Sequence, residues 1–345
     1  MKSKYLILAD GKSPHTLKWL KELANFFELY LVSLNGINEV AYQYIQKENI
    51  YVVNESVNVS GGNRKLLLKY FDIKKIVEKL APKYINAHYL SSYGVIAALI
   101  KRSNPNLKLI QSTWGTDILV TPYENFIKRK IAAFALAKAD LITSDSYFMS
   151  DKIVELSGNK RVETFAFGLD RVDKESQYEK NENLIFSNRA LSKNYNINKI
   201  IEWFAGLHNE KLNLVIANDG SLKNELQSLA ESLSLEKQIS FVGFLNKEAQ
   251  DSLYKKAAYY ISIPSSDSTA VSLLEAMSYG CYPIVSNLPA NREWIIDNCN
   301  GSFFSEKMGL PIIDDNIQSI NKNIINKKAI FSKSIANYVK RLETL

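Results

Sequence analysis

The chain has 345 residues, which is long for one domain and fits two domains of roughly 150 residues each. Its 46% hydrophobic and 23% charged residues are typical of a soluble globular protein. With only two cysteines and three histidines, at no ligand spacing, a disulfide framework and a metal-ligand cluster are both excluded, and a reducing cytoplasm is expected.

The formal net charge is +7, and the excess of Lys and Arg lies wholly within residues 1–170. A basic first half predicts an anionic partner, such as a membrane surface or a lipid-diphosphate acceptor, with ordinary solvated helix faces as the alternative. No nucleic-acid-binding motif accompanies the charge, so we expect no nucleic-acid partner. We also expect no signal peptide and no membrane span, since no run approaches about 18 apolar residues.

The first elements predict a β-α-β opening. Residues 5–9 form an apolar strand, residues 10–14 have turn chemistry, and apolar residues then recur at helical spacing before a strand at 29–32. The opening lacks G-x-G-x-x-G, so the dinucleotide fingerprint is absent. Lys12 and His15 either line a cleft or lie on the surface at the start of the helix.

A basic helix is predicted after a loop at residues 60–64. Basic residues alternate there with apolar ones: Lys65, Lys69, Lys74, Lys75 and Lys79. This mixture suits contact with a membrane, but most amphipathic helices dock on a sheet, and docking is the interpretation we favour.

Two further strands, residues 84–87 and 107–112, are each followed by polar residues, His88 after the first and Asp117 in the loop after the second. Because open parallel sheets bind ligands at the carboxyl ends of their strands, both loops are candidate ligand sites. For His88 the alternative is a hydrogen-bonded structural residue.

Residues 171–183 are highly charged and nearly devoid of aliphatic residues, a composition typical of an interdomain linker. A second domain then begins with a strand at 184–187, which leads into Arg189 and Lys193. Strands at 212–217 and 239–243 follow, and the second of these ends at Gly243.

The most informative stretch is residues 260–297, which predicts a strand, a small polar loop, a helix ending near Gly280, and another strand. Backbone N–H groups at the start of such a helix bind anions such as a diphosphate, and small side chains in the loop let the anion approach. Asp267 and Glu275 lie eight residues apart and offer carboxylates to paired hydroxyls such as those of a ribose. Alternatively, Asp267 is a helix cap and Glu275 a solvated helix residue.

This stretch resembles the carboxy-terminal signature of GT4-type retaining glycosyltransferases, the glycosyl transferases group 1 family. The shared pattern is Pro-Ser, an acidic residue, seven residues, Leu-Glu-Ala-Met, a Gly, and a strand that contains Pro. Asp267 stands in the first acidic position, where the family's E-x7-E motif has Glu, and Glu275 is intact. The later Asn-Arg-Glu-Trp at 291–294 is also similar to family members.

The resemblance implies an α/β GT-B fold, with two Rossmann-like domains facing each other across a cleft. Residues 1–168 would form the acceptor-binding domain, 169–183 the linker, and 184–329 the nucleotide-sugar-binding domain. The tail, 330–345, would form a helix that packs back on the first domain.

The resemblance also assigns roles. Asp267 would lie near the donor sugar, Glu275 would bind the ribose, and Arg189 with Lys193 would neutralise the leaving diphosphate. Other donor-binding candidates are Ser268, Thr269, Ala270, Val271, Gly243 and Phe244. The acceptor-side candidates are His88 and Asp117, counted with the catalytic residues, together with Gly11, His15 and Trp114. Trp114 stands where many members have histidine, which increases the interest of His88.

The implied reaction is retaining transfer of a hexose or hexosamine from a UDP- or GDP-sugar to a hydroxyl of a growing glycan, expected to be lipid-linked. No D-x-D element is visible, so we expect no metal and no other cofactor. The expected location is the cytoplasm, with association at the inner face of the membrane. Alternatives are a nucleotide-sugar epimerase of the same fold and a silent scaffold in a polysaccharide assembly complex.

Overall fold

The computed structural model describes residues 2–53, 69–172 and 177–345. The chain forms two compact units, Met1–Phe165 with Ser332–Leu345, and Ala166–Phe331. Each unit is built on one parallel sheet with helices. Among the described residues, no helix is both long enough and apolar enough to cross a membrane.

The strands alternate with helices along the chain, which is the pattern that parallel sheets require. In chain order the strands are β1 Lys4–Leu8, β2 Glu28–Ser33, β3 Ile50–Val52, β4 Tyr84–His88, β5 Lys108–Ser112, β6 Leu141–Ser144, β7 Val162–Thr164, β8 Asn181–Ser187, β9 Asn213–Ala217, β10 Ile239–Gly243, β11 Ala257–Ser262, β12 Tyr282–Val285 and β13 Ser302–Phe303.

The α-helices among the described residues are α1 Pro14–Leu23, α2 Tyr70–Leu80, α3 Val95–Ser103, α4 Thr116–Leu119, α5 Thr121–Glu124, α6 Phe126–Ala137, α7 Tyr147–Ser157, α8 Ile197–Gly206, α9 Lys223–Ser232, α10 Lys247–Lys256, α11 Val271–Ser278, α12 Ile317–Lys328 and α13 Phe331–Glu343. A π-helical turn, Tyr89–Gly94, precedes α3.

The strand order of each sheet defines where a ligand can bind. The first sheet has the order β3-β2-β1-β4-β5-β6-β7 and the second β10-β9-β8-β11-β12-β13, with every pairing parallel. In both, the order reverses direction beside the first strand, between β1 and β4 and between β8 and β11. Doubly wound sheets bind ligands at such a switch point, outside the carboxyl ends of the strands.

The central strands are buried on both faces, so they consist of nearly continuous apolar runs. Tyr5 to Leu8 in β1 and all six residues of β11 are buried. Strand β11 begins three residues before the predicted 260, and β8 begins at Asn181 instead of the predicted 184. In both cases the strand extends into residues whose local composition is helical or charged, because tertiary pairing outweighs local propensity.

The last helix, α13, packs on the first sheet within the first unit. The hydroxyl of Tyr338 lies 2.6 Å from that of Tyr5 in β1, and Tyr84 of β4 donates to the carbonyl of Leu342 at 3.1 Å. Pairing two buried phenols in this way satisfies polar groups that would otherwise be costly in the core. The apolar residues of the tail therefore contribute to the core of the first unit.

Two predicted segments lie partly or wholly outside the described residues. The loop at 60–64 and Lys65 lie outside the described part of the chain, as do residues 173–176 of the predicted linker. Helix α2 contains Lys74, Lys75 and Lys79. The ammonium of Lys69 lies 3.9 Å from Asp72 and that of Lys74 lies 3.7 Å from Glu78, so part of the basic charge is neutralised locally.

Candidate active site

In the second unit, two loops meet at the switch point of the sheet. The loop after β8, residues 188–196, and the loop after β11, residues 263–270, are held together by hydrogen bonds from two asparagines. Asn194 donates from Nδ2 to the carbonyl of Ser266 at 3.0 Å and accepts from the amide of Ser265 at 2.7 Å. Asn196 donates to the carbonyl of Ile263 at 2.8 Å. The two loops therefore form one rigid rim.

Arg189 and Asp267 form the ion pair at the centre of this rim. Arg189 donates from Nη2 to Oδ2 of Asp267 at 2.6 Å and from Nη1 to Oγ of Ser272 at 2.8 Å. Its guanidinium lies 4.4 Å from the centroid of the Tyr195 ring. The Arg189 and Asp267 side chains are only 12% and 24% exposed, respectively. The guanidinium is therefore fixed in one position and remains partly accessible to an anion.

The electrostatics of the pair follow from its burial. Burial raises the pKa of the Asp267 carboxyl, and the neighbouring Arg189 opposes that rise. Burial disfavours the Arg189 cation, but the charge of Asp267, with Tyr260 and Tyr195, raises its pKa above the ordinary value. The 2.6 Å contact with a permanent cation keeps the carboxyl ionised at neutral pH. A ligand anion that uses Arg189 must therefore share it with Asp267.

Helix α11 begins at Val271 without a capping side chain, because the residue before it is Ala270. Asp267 is not the cap; its Oδ1 accepts from the amide of Ser268 at 3.0 Å. This geometry rejects the alternative that Asp267 serves only as an N-cap. An uncapped helix start leaves its first amides available to an acceptor, which is the arrangement that binds phosphate groups.

Glu275 lies about one turn into α11 and accepts hydrogen bonds from three donors. Its Oε1 lies 3.1 Å from the ammonium of Lys247, and Oε2 accepts from Gln250 at 3.0 Å and from the Tyr254 hydroxyl at 3.3 Å. The Glu275 carboxylate is therefore largely buried and hydrogen-bonded, unlike the solvated helix residue that the sequence left open as an alternative. The Lys247 side chain is itself exposed, so it can leave the carboxylate without disturbing the core.

A chain of hydrogen bonds connects Glu275 to the Arg189–Asp267 pair. From Tyr254 it continues through Asn188, whose Nδ2 donates to the Tyr254 hydroxyl at 2.8 Å. The Tyr260 hydroxyl lies 3.0 Å from Oδ1 of Asn188 and 2.8 Å from Oγ of Ser272, which in turn accepts from Arg189. Both tyrosines are fully buried. The two acidic residues are thus parts of one buried polar network.

The other predicted donor residues differ in their surroundings. Ser268 and Thr269 are buried, and Thr269 Oγ1 accepts from the Trp294 indole at 3.2 Å, so the Asn-Arg-Glu-Trp segment contacts the loop after β11. Lys193 is exposed on a short 3₁₀ turn, Lys193–Tyr195. Gly243 ends β10 with φ +70°, a conformation that favours glycine, and Phe244 after it is exposed.

In the first unit, His88 ends β4 at the switch point and is 4% exposed. Neither of its ring nitrogens has a hydrogen-bond partner among the described residues. The ring packs against Trp19 and Trp114, with centroids 5.1 and 5.5 Å away. Burial lowers the pKa of His88 to about 3, so the imidazole is neutral at physiological pH. The ring therefore holds one donor and one acceptor, both buried, that no described residue satisfies.

Asp117 is buried and its carboxylate is occupied by backbone amides. Oδ2 accepts from Leu90 at 2.8 Å and Oδ1 from Trp114 at 2.9 Å. Burial raises the pKa of Asp117 to about 6, while these amides and those of Asp117 and Gly115 lower it. These bonds join the loop after β5 to the π-helical turn after His88. Asp117 therefore holds the two loops together, and its predicted catalytic role stays a prediction.

The remaining acceptor-side candidates line the same edge of the first sheet. His15 is exposed, and its ring lies 4.7 Å from that of Trp114, which also contacts His88. Gly11 donates to Oγ of Ser33 at 2.9 Å, and a Cβ at Gly11 would lie 2.6 Å from the carbonyl oxygen of Gly36. Glycine is therefore required there for the close approach of two loops.

Several residues of the second unit were not predicted: Asn188, Asn194, Asn196, Lys247, Gln250, Tyr254, Tyr260 and Ser272. Of these residues, only the tyrosines could have been recognised from the sequence, since a phenol within an apolar run needs a hydrogen-bond partner once it is buried. Within the described ranges, no three His, Cys, Asp or Glu side chains cluster so that they could hold a metal ion.

Two family profiles match this chain. Residues 4–146 match "Glycosyl transferase 4-like" and residues 170–333 match "Glycosyl transferases group 1". The chain therefore belongs to the GT4-type group 1 glycosyltransferases, which confirms the family predicted from the sequence.

Two curated relatives match parts of the chain. It is 25% identical over 195 residues to alpha-monoglucosyldiacylglycerol synthase of Streptococcus pneumoniae, covering 55% of this chain and 44% of that protein. It is 32% identical over 94 residues to an uncharacterized glycosyltransferase of Methanocaldococcus jannaschii, covering 27% and 24%. The chain thus spans less than half the length of these relatives.

Solved structures match the whole chain in fold. Anabaena HepE in complex with UDP has a TM-score of 0.77 at 13% identity, covering 100% of both chains. The lipopolysaccharide outer core galactosyltransferase WaaB has a TM-score of 0.72 at 12% identity, covering 98% and 99%. The pneumococcal O-GlcNAc transferase GtfA, in complex with UDP and GlcNAc, has 0.74 at 9%, covering 100% and 99%. Together with the two parallel sheets, these matches confirm the predicted α/β GT-B fold.

Proposed function

We propose that the protein is a retaining glycosyltransferase that moves a hexose or hexosamine from a UDP-sugar to a hydroxyl of a lipid-linked glycan acceptor at the inner face of the membrane. The observation that carries this proposal is the buried network that joins Arg189, Asp267 and Glu275 beside an uncapped helix start. Membership of the glycosyltransferase family supports the reaction class.

The donor would be bound by the second unit. Arg189 and the first amides of α11 neutralise the two phosphates, and exposed Lys193 adds a further cation. The ribose hydroxyls replace the exposed Lys247 as donors to Glu275. Asp267 lies beside the anomeric carbon and stabilises the positive charge that develops there as the diphosphate leaves. Uracil is the base we favour for the donor nucleotide, because HepE and GtfA were solved with UDP.

The acceptor would be bound by the first unit, where His88, His15 and Trp114 lie together. A neutral imidazole can accept a hydrogen bond from a sugar hydroxyl or donate one to its oxygen without adding charge. The Streptococcus pneumoniae relative is named for an alpha-linked glucosyl product on diacylglycerol. An alpha product from an α-configured nucleotide sugar corresponds to retention, and diacylglycerol supports a lipid acceptor.

The reaction is also proposed to need no metal ion. Arg189, Lys193 and the positive end of α11 supply positive charge where a divalent cation would otherwise meet the diphosphate. Activity that survives an excess of EDTA supports this step, whereas activity restored by Mg²⁺ or Mn²⁺ after chelation contradicts it.

The test is incubation of the purified chain with UDP-, GDP- and TDP-sugars, with and without membrane lipid extract, followed by mass spectrometry of the products. Transfer should occur with one or a few UDP-sugars, and NMR of the new linkage should give the donor's anomeric configuration. Glu248 is an exposed carboxylate in the first turn of α10, and Glu248→Ala is the matched control for Glu275→Ala. Conversion of the donor to an epimer without acceptor would identify an epimerase instead. UDP binding without turnover of any donor would indicate the silent scaffold.

A further inference from the structure

The exposed side of helix α6 is apolar in the first unit. Phe126 and Ile127 are each 69% exposed, and Ile131 one turn later is also exposed. The opposite side of the helix contributes Ala132, Ala135 and Leu136 to the core. The helix therefore has apolar residues on two faces, and only one of them is covered by the described part of the unit.

This apolar face is surrounded by positive charge. Lys128, Arg129 and Lys130 fall in the first turns of α6, and the helix contains no acidic residue. The ammonium of Lys130 lies 4.5 Å from the centroid of the Phe126 ring, and Arg129 lies 5.4 Å from that of Tyr123, which is also exposed. Aromatic and basic side chains are therefore interleaved on one surface.

The position of these cations is unfavourable for the isolated helix. The amino-terminal end of a helix is the positive end of its dipole, so acidic residues, not basic ones, stabilise its first turn. Lys128 contacts Glu124 on the preceding helix, and Arg129 has a carboxylate 3.9 Å away, Glu155, which also binds Lys152 at 2.7 Å. Local pairing thus compensates only part of the charge. An anionic partner would compensate the rest.

We propose that Tyr123, Phe126, Ile127 and Ile131, with Lys128, Arg129 and Lys130, form the surface that docks this protein on an anionic lipid bilayer. We name this set the α6 face. Aromatic and aliphatic side chains enter the boundary between headgroups and acyl chains, while the cations remain at the level of the lipid phosphates. This surface would bring the enzyme to the lipid-linked acceptor of the proposed function. The proposal rests on that function only for the biological purpose of docking.

The exposed apolar side chains favour α6 over α2, the basic helix indicated by the sequence, as the docking surface. Local pairing is similar in the two places, since Lys69 and Lys74 have carboxylates within 4.0 Å, as do Lys128 and Arg129 of α6. Phe71, however, is the single large hydrophobic residue of α2 that is widely exposed. On α6, Phe126, Ile127 and Ile131 are exposed beside the cations Arg129 and Lys130. Helix α2 therefore supplies matched control substitutions.

The test is co-sedimentation of the full chain with vesicles of phosphatidylcholine alone or of equimolar phosphatidylcholine and phosphatidylglycerol, at low and at high salt. The protein should bind the anionic vesicles and be released by salt. Arg129→Glu with Lys130→Glu should lower the partition coefficient about tenfold or more, whereas Lys74→Glu with Lys75→Glu should change it far less. Phe126→Ser with Ile127→Ser should weaken binding to the anionic vesicles at low salt, and Phe71→Ser should not.

Circular dichroism melts verify that each variant is folded, and no sugar donor is present, so the outcome is independent of the transfer activity. The proposal is overturned if the protein does not bind anionic vesicles at low salt, or if the α2 and α6 variants lose binding equally. It is also overturned if analytical ultracentrifugation shows a dimer that Phe126→Ser with Ile127→Ser dissociates while vesicle binding persists, since the α6 face would then contact a second copy.

Discussion

Asp267→Asn tests two proposed effects of the Asp267 carboxylate, its ion pair with Arg189 and its stabilisation of positive charge on the donor sugar. The substitution keeps the shape of the side chain and its contact with the Ser268 amide but removes the charge that faces Arg189 at 2.6 Å. Breaking a buried pair costs up to about 3–5 kcal/mol, and because the Asp267 side chain is 24% exposed we expect a loss of stability of about 1–3 kcal/mol.

Although Asp267→Asn should lower stability, it should raise the affinity for UDP. In the wild type, the diphosphate must share Arg189 with a carboxylate, and a unit charge about 6 Å away contributes about 3 kcal/mol at an effective dielectric constant of about 20. Solvent screening at this partly exposed site reduces the effect to on the order of 1 kcal/mol, so UDP should bind about fivefold more tightly to Asp267→Asn. Turnover should nevertheless fall strongly, because the developing charge on the donor sugar loses its counter-charge.

The assay is calorimetric titration with UDP, combined with thermal denaturation and initial rates of transfer. Arg189→Ala is the companion variant, for which UDP affinity should fall. If Asp267→Asn binds UDP more weakly, by as much as Arg189→Ala, then Asp267 helps to bind the nucleotide directly and the competition described above is wrong.

Two other substitutions test the remaining parts of the site. Glu275→Ala should abolish transfer and weaken UDP binding about tenfold or more, since a charge-assisted hydrogen bond contributes about 1.5–3 kcal/mol; calorimetry with unchanged affinity would remove Glu275 from the ribose site. His88→Phe should keep UDP affinity and lower transfer to the acceptor, as measured by initial rates. It should also reduce acid sensitivity in pH-dependent melts, because the His88 pKa of about 3 lies below its unfolded value, so its contribution to stability is present above about pH 6.5 and lost as pH falls toward 3.

The sheets and the position of the site were predictable because their signals are local. Buried parallel strands are apolar runs, and the loops that follow them must lie at the carboxyl edge of the sheet. Residues 260–285 therefore predicted strand, loop, helix and strand in the observed order. Asp267 and Glu275 stood out for their spacing, and both lie in the buried network.

The contacts that organise the site were not predictable, because they join residues far apart in the sequence. Asn188 and Tyr260 are 72 residues apart, and no spacing rule brings them together. The surroundings of Asp117 were unpredictable for a related reason, since only the fold reveals that both carboxylate oxygens accept hydrogen bonds from backbone amides. The exposed face of α6 was also not predictable, because apolar residues lie on more than one side of this helix and the pattern does not indicate which side packs on the core.

Tyr260→Phe tests whether the buried network positions the ion pair. The variant removes one hydroxyl that lies 2.8 Å from Ser272 and 3.0 Å from Asn188, both of which retain other bonds. We expect a loss of about 1–3 kcal/mol of stability and a several-fold loss of UDP affinity, since Ser272 then orients Arg189 less well. Tyr259→Phe is the matched control, because Tyr259 bonds the carbonyl of Pro311 at 2.7 Å and contributes to a different core cluster.

The comparison of the two tyrosine variants isolates the positioning effect. Both lose one phenolic hydroxyl from β11, so both should have a lower melting temperature, but calorimetric titration should detect weaker UDP binding only for Tyr260→Phe. Ser272→Ala should reproduce that weaker binding, because it removes the acceptor through which Tyr260 acts on Arg189. If both tyrosine variants bind UDP as the wild type does, the hydroxyl of Tyr260 stabilises the core alone, and Arg189 is held in place by Asp267 and Tyr195 without it.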